Sequence, residues 1–220
     1  MRLIPAILTD KREDFQQKLD AVNDLVSHVQ VDIMDGEFVP NTSLFPRSFA
    51  YATFSSLTFE AHLMIEGHQW NYLIQSLKTF EACTRIYLHW EAAPDMDTMR
   101  WALNLIRRQG QEAGVALNPH TQWEAIVPCL KNLDAVLFMG VEPGFYGSEF
   151  QPEVLEHVRS FSQTHGDGIT LGWDGGADQT SLPDIVEAGA TDVAVGSALF
   201  KAENVAEAYA ELERIQKPEA

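Results

Sequence analysis

Two periods take turns along this chain. Short apolar runs of strand length alternate with longer stretches whose apolar positions recur at helical spacing. Strand-like runs fall at residues 3–8, 29–36, 57–64, 85–90, 113–117, 135–141, 169–173 and 192–195. Helical spacing predicts helices over 11–23, 69–79, 96–109, 152–163, 182–188 and 204–216, with Thr9-Asp10 offering an N-cap to the first. Thr121 caps a further helix running to Leu130, after Asn118-Pro119 stops the strand before it. Residues 45–51, beyond the Val39-Pro40-Asn41 loop, form only a short segment.

Strict alternation of strand and helix predicts parallel strands with helices outside them. An open doubly wound sheet would want a Gly-rich fingerprint in the first strand–helix turn, where Leu8-Thr9-Asp10 stands instead. In a barrel, function gathers at the C-terminal strand ends. Asp32, His62, Asn118, the Gly-rich loop after Val141, Asp174-Gly175-Gly176 and Gly196-Ser197 all fall at strand exits. The predicted fold is therefore α/β, a (β/α)8 TIM barrel made by residues 1–220 as a single domain.

The second strand breaks the hydrophobic pattern most. Val29, Val31 and Ile33 share one face, and Gln30, Asp32 and Met34 share the other. A face carrying an amide, a carboxylate and a thioether is not an ordinary core surface. Burying Asp32 as an unpaired anion would cost several kcal/mol, so a metal, a cation or a mouth open to water is expected beside it.

Composition narrows the classes. The 220 residues are 45% hydrophobic and 21% charged, with a formal net charge of -17. Such a charge argues against nucleic acid and against an anionic membrane surface as partners. It leaves room for a small anionic substrate held by backbone dipoles. Cys83 and Cys129 lie far apart with no CxxC spacing, which suits two small core residues in a reducing compartment. The first apolar run is too short for a signal segment or a membrane span, so a cytoplasmic protein is expected.

Three constellations carry candidate chemistry. Asp32 and Asp174 end the second and seventh strands, and a closed barrel would bring them to its mouth from different sides. Such a pair can remove a proton from one face of a carbon and return one to the other, or hold a divalent cation; an Asp before Gly can also simply cap a turn. His62 and Met64 share a face beside Asp32 and Met34, so His62 is either a ligand or a hydrogen-bonded structural residue. His89 is a weaker candidate, and His28, His68, His120, His157 and His165 read as surface or loop residues. Gly144, Gly147, Gly175, Gly176, Gly196 and Ser197 follow the last three strands, where barrels commonly bind phosphate through backbone amides. Lys201 is the only basic side chain close to them in sequence.

Taken together these runs resemble the ribulose-phosphate 3-epimerase family. The likeness rests on Pro5-Ala6-Ile7-Leu8, Val31-Asp32-Ile33-Met34-Asp35-Gly36 with Phe38-Val39-Pro40-Asn41, His62-Leu63-Met64 and residues 114–119. It continues through Pro143-Gly144-Phe145 with Gly147 and Phe150, Asp174-Gly175-Gly176 and Gly196-Ser197. The resemblance implies an isomerase that interconverts D-ribulose 5-phosphate and D-xylulose 5-phosphate with one divalent metal ion (Zn, Mn, Fe, Co or Mg), in a possible homo-oligomer. It assigns acid/base and metal-binding roles to Asp32 and Asp174 and a metal and substrate role to His62. Met34, Met64 and Met139 would surround the reacting carbons. Gly144, Phe145, Tyr146, Gly147, Gly175, Gly176, Gly196 and Ser197 would cradle the phosphate.

The chain also departs from the family pattern. Gln30 stands at a metal-binding histidine position, Ala6 at a serine, Tyr146 at a glycine and Glu37 at a histidine. A Gln oxygen is a harder, weaker ligand than imidazole, so zinc affinity should fall and Mg²⁺ or Mn²⁺ gain relatively. Ala6 and Tyr146 motivate one alternative, a related ketose-phosphate 3-epimerase acting on a substrate such as allulose 6-phosphate. Gln30 motivates another, a sugar-phosphate-binding paralogue that has lost its metal and does not turn over.

Overall fold

A computed structural model describes residues 1–50 and 52–216. Eight parallel strands close into a barrel in sequence order, with the last pairing back to the first. They are β1 (Arg2–Ile7), β2 (His28–Met34), β3 (Thr58–Met64), β4 (Cys83–His89), β5 (Glu112–Leu117), β6 (Ala135–Met139), β7 (Thr170–Asp174) and β8 (Asp192–Val195). The outer layer comprises α1 (Arg12–Val22), α2 (Pro46–Phe49), α3 (Trp70–Leu77), α4 (Met96–Arg108), α5 (Val154–His165), α6 (Leu182–Ala188), α7 (Ser197–Phe200) and α8 (Val205–Gln216). The expected barrel is thus the observed one.

The two faces of each strand do different jobs. Val29, Val31 and Ile33 of β2 are buried outward, in one apolar cluster with α1 residues Phe15, Leu19 and Val22 and their equivalents around the ring. Removing that apolar surface from water is the main force holding helices to sheet. Inside the barrel a much smaller apolar cluster, Tyr87, Ala116, Ala135, Leu137 and Met139, fills the middle. The floor beneath is charged. Arg85 donates to Glu60 and Asp192, each at 3.0 Å, and to Glu112 at 2.6 Å.

Local chemistry corrects several sequence readings. Thr9-Asp10 does not cap α1: the N-cap is Lys11, with no side-chain cap, and the Thr9 hydroxyl accepts from the Lys11 amide at 3.2 Å. Thr121 caps nothing either; its hydroxyl donates to Glu91. The segment after it, Trp123–Asn132, is a 3₁₀ helix with Pro128 inside. Proline lacks the N–H of an α-helical bond, and its ring would meet the carbonyl four residues back, which favours the tighter winding. The 45–51 segment becomes α2, and Tyr51 lies outside the described residues.

His28 is not a surface residue. It is 5% exposed at the barrel floor, with Nδ1 2.7 Å from the Thr58 hydroxyl and Nε2 3.3 Å from Glu60. β2 places it on the inner face with Gln30, two residues below.

Candidate active site

Strand register stacks the polar residues at one end. β2 and β3 pair with Asp32 opposite His62 and Met34 opposite Met64, while Asp174 of β7 pairs with Met139 and Ala194. Asp32, His62 and Asp174 each offer a ligand atom, and these atoms all lie within 4.8 Å of one another. His62 Nδ1 is 3.2 Å from Asp32 Oδ1 and 3.1 Å from Asp174 Oδ2. All three residues line one cavity at the barrel mouth.

The other predicted site residues gather there too. Met34, Met64 and Met139 form its floor and wall, and Gly144, Phe145, Tyr146, Gly147, Gly175, Gly176, Gly196 and Ser197 its rim. Gln30 alone stands apart: it is fully buried beneath the cluster rather than on the cavity wall. Its amide nitrogen donates to Asp32 Oδ1 at 2.9 Å and to Asp174 Oδ2 at 2.7 Å, tying the two carboxylates together. Two unit anions at such a separation repel by about 3 kcal/mol at the effective dielectric of a protein, so a donor between them matters.

Burial and charge set the proton equilibria. Burial by itself would lower the His62 imidazole, but hydrogen bonds and charge from Asp174 and Asp32 push it up to about 9. Burial pushes the Asp32 carboxyl up, and the Asp174 charge adds to this against hydrogen bonds from His62 and Gln30. Burial lowers His89, which sits beyond His62 with Nε2 2.8 Å from His62 Nε2.

The cluster suits a divalent cation. Two carboxylates and one imidazole make a hard-to-borderline donor set. The Gln30 Oε1 is a buried oxygen with no hydrogen-bond partner. A half-turn of that amide would aim it at the point its nitrogen now bridges, supplying a fourth donor.

The rim is built from backbone. Gly175 and Gly176 both take positive φ, 103° and 68°, which turns the chain sharply after Asp174. Gly196 lies so close to the Tyr146 ring that a Cβ there would come within 2.3 Å of it. The Tyr146 hydroxyl donates to the Ala6 carbonyl at 2.6 Å and accepts from the Leu8 amide at 2.8 Å. This fastens the loop after β6 to the end of β1. From the other side, the Asn41 amide donates to the Gly144 carbonyl at 2.7 Å.

Several contributors escape a sequence reading. Lys201 is not the sole cation near the rim: Lys18 of α1 donates to the Leu8 carbonyl at 2.9 Å and lies 5.4 Å from the Tyr146 ring centre. Asp35, which looks like a simple turn residue, accepts from the amides of Glu37, Phe38 and Glu66 and from Gln69. It therefore couples the loops after β2 and β3. Glu37 is exposed and pairs with His68 at 3.6 Å, away from the cavity.

Fold and site together define a (β/α)8 protein whose mouth sets two carboxylates and an imidazole under a glycine rim. The chain belongs to the ribulose-phosphate 3-epimerase family, whose model matches residues 2–200. It is 32% identical to a ribulose-phosphate 3-epimerase of Synechocystis over 220 residues, covering 98% of this chain and 94% of that one. A Bacillus subtilis protein of the same name is 34% identical over 177 residues, covering 78% of this chain and 79% of its own. Among solved structures, a 3-hexulose-6-phosphate synthase superposes with a TM-score of 0.69 at 15% identity, covering 98% of this chain and 99% of that one. That likeness is one of fold.

Proposed function

We propose that this protein is a ribulose-phosphate 3-epimerase, interconverting D-ribulose 5-phosphate and D-xylulose 5-phosphate. The observation that carries the reading is the pairing of Asp32 and Asp174 over one cavity, joined by the Gln30 amide. In this reading the substrate lies between them with its third carbon flanked by a carboxylate on each side. One carboxylate takes the C3 proton, generating an enediolate with the neighbouring ketone. The other, protonated, returns a proton to the opposite face, and the configuration inverts. Raised affinity of Asp32 for its proton suits the donor half of such a cycle. Met34, Met64 and Met139 keep water from the reacting carbons.

Asp32, His62 and Asp174, with the Gln30 oxygen after rotation of its amide, are the residues that would hold a divalent cation. When bound, it supplies positive charge that stabilises the enediolate oxygens. Gln30 favours Mg²⁺ or Mn²⁺ relative to zinc. The amides at Gly144–Gly147, Gly175–Gly176 and Gly196–Ser197 receive the phosphate, and Lys18 and Lys201 add nearby positive charge. The related hexulose-phosphate epimerase and the paralogue without turnover draw no support from the relatives, which carry the ribulose-phosphate 3-epimerase name. The cytoplasm is the proposed compartment, supported by Cys83 and Cys129, which are free, buried and suited to a reducing environment. The reading is tested by supplying ribulose 5-phosphate and divalent metal in D₂O: deuterium should enter C3 as xylulose 5-phosphate forms, and no exchange would reject it.

Two further outcomes are expected. His62 holds its proton in the folded protein up to about pH 9, so below that a cation must displace it. Metal affinity should therefore rise about tenfold per pH unit between about 7 and 8.5 and level off above 9. Calorimetry in buffers of different ionisation heat should count about one proton released, and a flat profile would contradict the assignment.

Tyr146→Phe keeps the ring but strands the Ala6 carbonyl and Leu8 amide. Losing these two bonds, each worth about 1 kcal/mol, should loosen the rim, and the part of that loss felt by the bound phosphate should raise KM several-fold with kcat little changed. Steady-state kinetics check this; an unchanged KM would remove Tyr146 from the cradle.

A further inference from the structure

His62 spends one nitrogen on the carboxylates, and what its other nitrogen meets is unusual. Nε2 faces His89 Nε2 at 2.8 Å, while the ring centres stand 5.0 Å apart and the planes differ by only 26°. With nitrogens so much closer than centres, the rings meet edge to edge, which is the arrangement of an N–H···N bond rather than a face-to-face stack. Only one proton fits between them. His89 is fully buried and is covered by the Phe38 ring at 4.7 Å. Its own Nδ1 lies 3.4 Å from Glu91 Oε2, an electrostatic contact without hydrogen-bond geometry, and has no other partner among the described residues. Glu91 is held in turn by the Asn118 amide at 2.8 Å and by the Thr121 hydroxyl.

Consider the two states His62 can take. As imidazolium it bears protons on both nitrogens, so Nε2 donates to His89. As a neutral ligand it must leave Nδ1 bare, and again the proton is on Nε2. In both cases His89 Nε2 has to accept, which requires the His89 proton on Nδ1, facing the Glu91 carboxylate. If His89 could not accept, a His62 Nε2–H would be buried without a partner. Neutral His62 would then move its proton to Nδ1, where Asp32 and Asp174 accept it and no lone pair remains for a cation.

We propose that His89 and Glu91 are positioning residues. Glu91 fixes the proton of His89 on Nδ1, and His89 thereby keeps Nδ1 of His62 as the nitrogen available to the carboxylate cluster. Neither residue touches substrate in this scheme. Its consequence for cation binding rests on the function proposed above, while the tautomer itself does not. Partners of this kind behind a metal-binding histidine commonly tune affinity by about 10–100-fold.

The first experiment uses the unmodified, metal-free protein without substrate, so a failure of the epimerase reading leaves it intact. Histidine ¹⁵N–¹³C correlation spectra, assigned with single histidine variants, should show His89 protonated at Nδ1 and bare at Nε2. Protonation at Nε2 overturns the proposal. The second titrates Mn²⁺ alone into variants. His89→Leu should lose about 10–100-fold in affinity, whereas His89→Gln, whose side-chain oxygen can accept from His62, should stay within about threefold of the parent. Glu91→Gln, in the turn after β4, should lose affinity and shift His89 towards the Nε2–H form. Parental affinity in both His89→Leu and Glu91→Gln would refute the idea. Should His89→Leu not fold, the parent spectrum and Glu91→Gln decide.

Discussion

Asp32→Asn and Asp174→Asn are each expected to lower kcat by about 10²–10⁴-fold, the range that a positioned acid or base contributes. The replacement is nearly the same size, so the fold should survive, and its melting temperature should stay close to the parent's. The electrostatics make survival credible. Replacing one of two carboxylates within 4.8 Å removes repulsion, and Asn can still accept from the Gln30 amide through its oxygen. Affinity for the phosphate end of the substrate should change little, because the rim is built from loops after β6, β7 and β8. Steady-state kinetics with far-UV spectra check both halves. Turnover within about threefold of the parent in either variant would remove that carboxylate from the chemistry.

The second large effect concerns Gln30. Gln30→His adds an imidazole beside Asp32, His62 and Asp174, and zinc prefers nitrogen ligands to a neutral amide oxygen. Zinc affinity should rise by about 100-fold or more, beyond what partners behind the ligands usually contribute. Mn²⁺ should gain less, so the ratio between the metals should shift towards zinc. The substitution also removes the amide that joins the carboxylates, and the metal-free variant should consequently be less stable than the parent. Competition titration against a chelator reads the first effect and denaturation without metal the second. Unchanged zinc binding would mean that position 30 does not face the cation at all.

Much of this architecture was legible in residue pattern alone. The strand–helix alternation announced the barrel, because a parallel sheet needs a crossover after each strand and a helix is the usual one. Asp32 stood out because a two-residue period set it on a face with Gln30 and Met34. Boundaries were less readable. Pro128 wound its helix as 3₁₀, and the Thr9 and Thr121 hydroxyls, natural caps by residue type, went to other partners.

Tertiary contacts were the least visible. Lys18 belongs to the rim only because α1 folds back along β1, and His28 is buried only because its inner-face neighbours on the floor are Thr58 and Glu60. One signal was available for that charged floor: Glu60 lies two residues before His62, and Arg85 two before Tyr87, on the inner faces of β3 and β4. The His62–His89 contact follows from the same register, since His62 pairs with Tyr87 and His89 is the next inward residue.

Opposed proton transfer by two carboxylates makes a demand that simple loss of activity does not. The decisive measurement is deuterium entry at C3 from D₂O, followed separately from each epimer with the parent and the two Asn variants. The parent should label both epimers. Each variant should still label one of them without converting it, and Asp32→Asn and Asp174→Asn should retain opposite epimers. Both variants labelling the same epimer would mean that a single base serves both faces, which contradicts a division of the two proton transfers between Asp32 and Asp174.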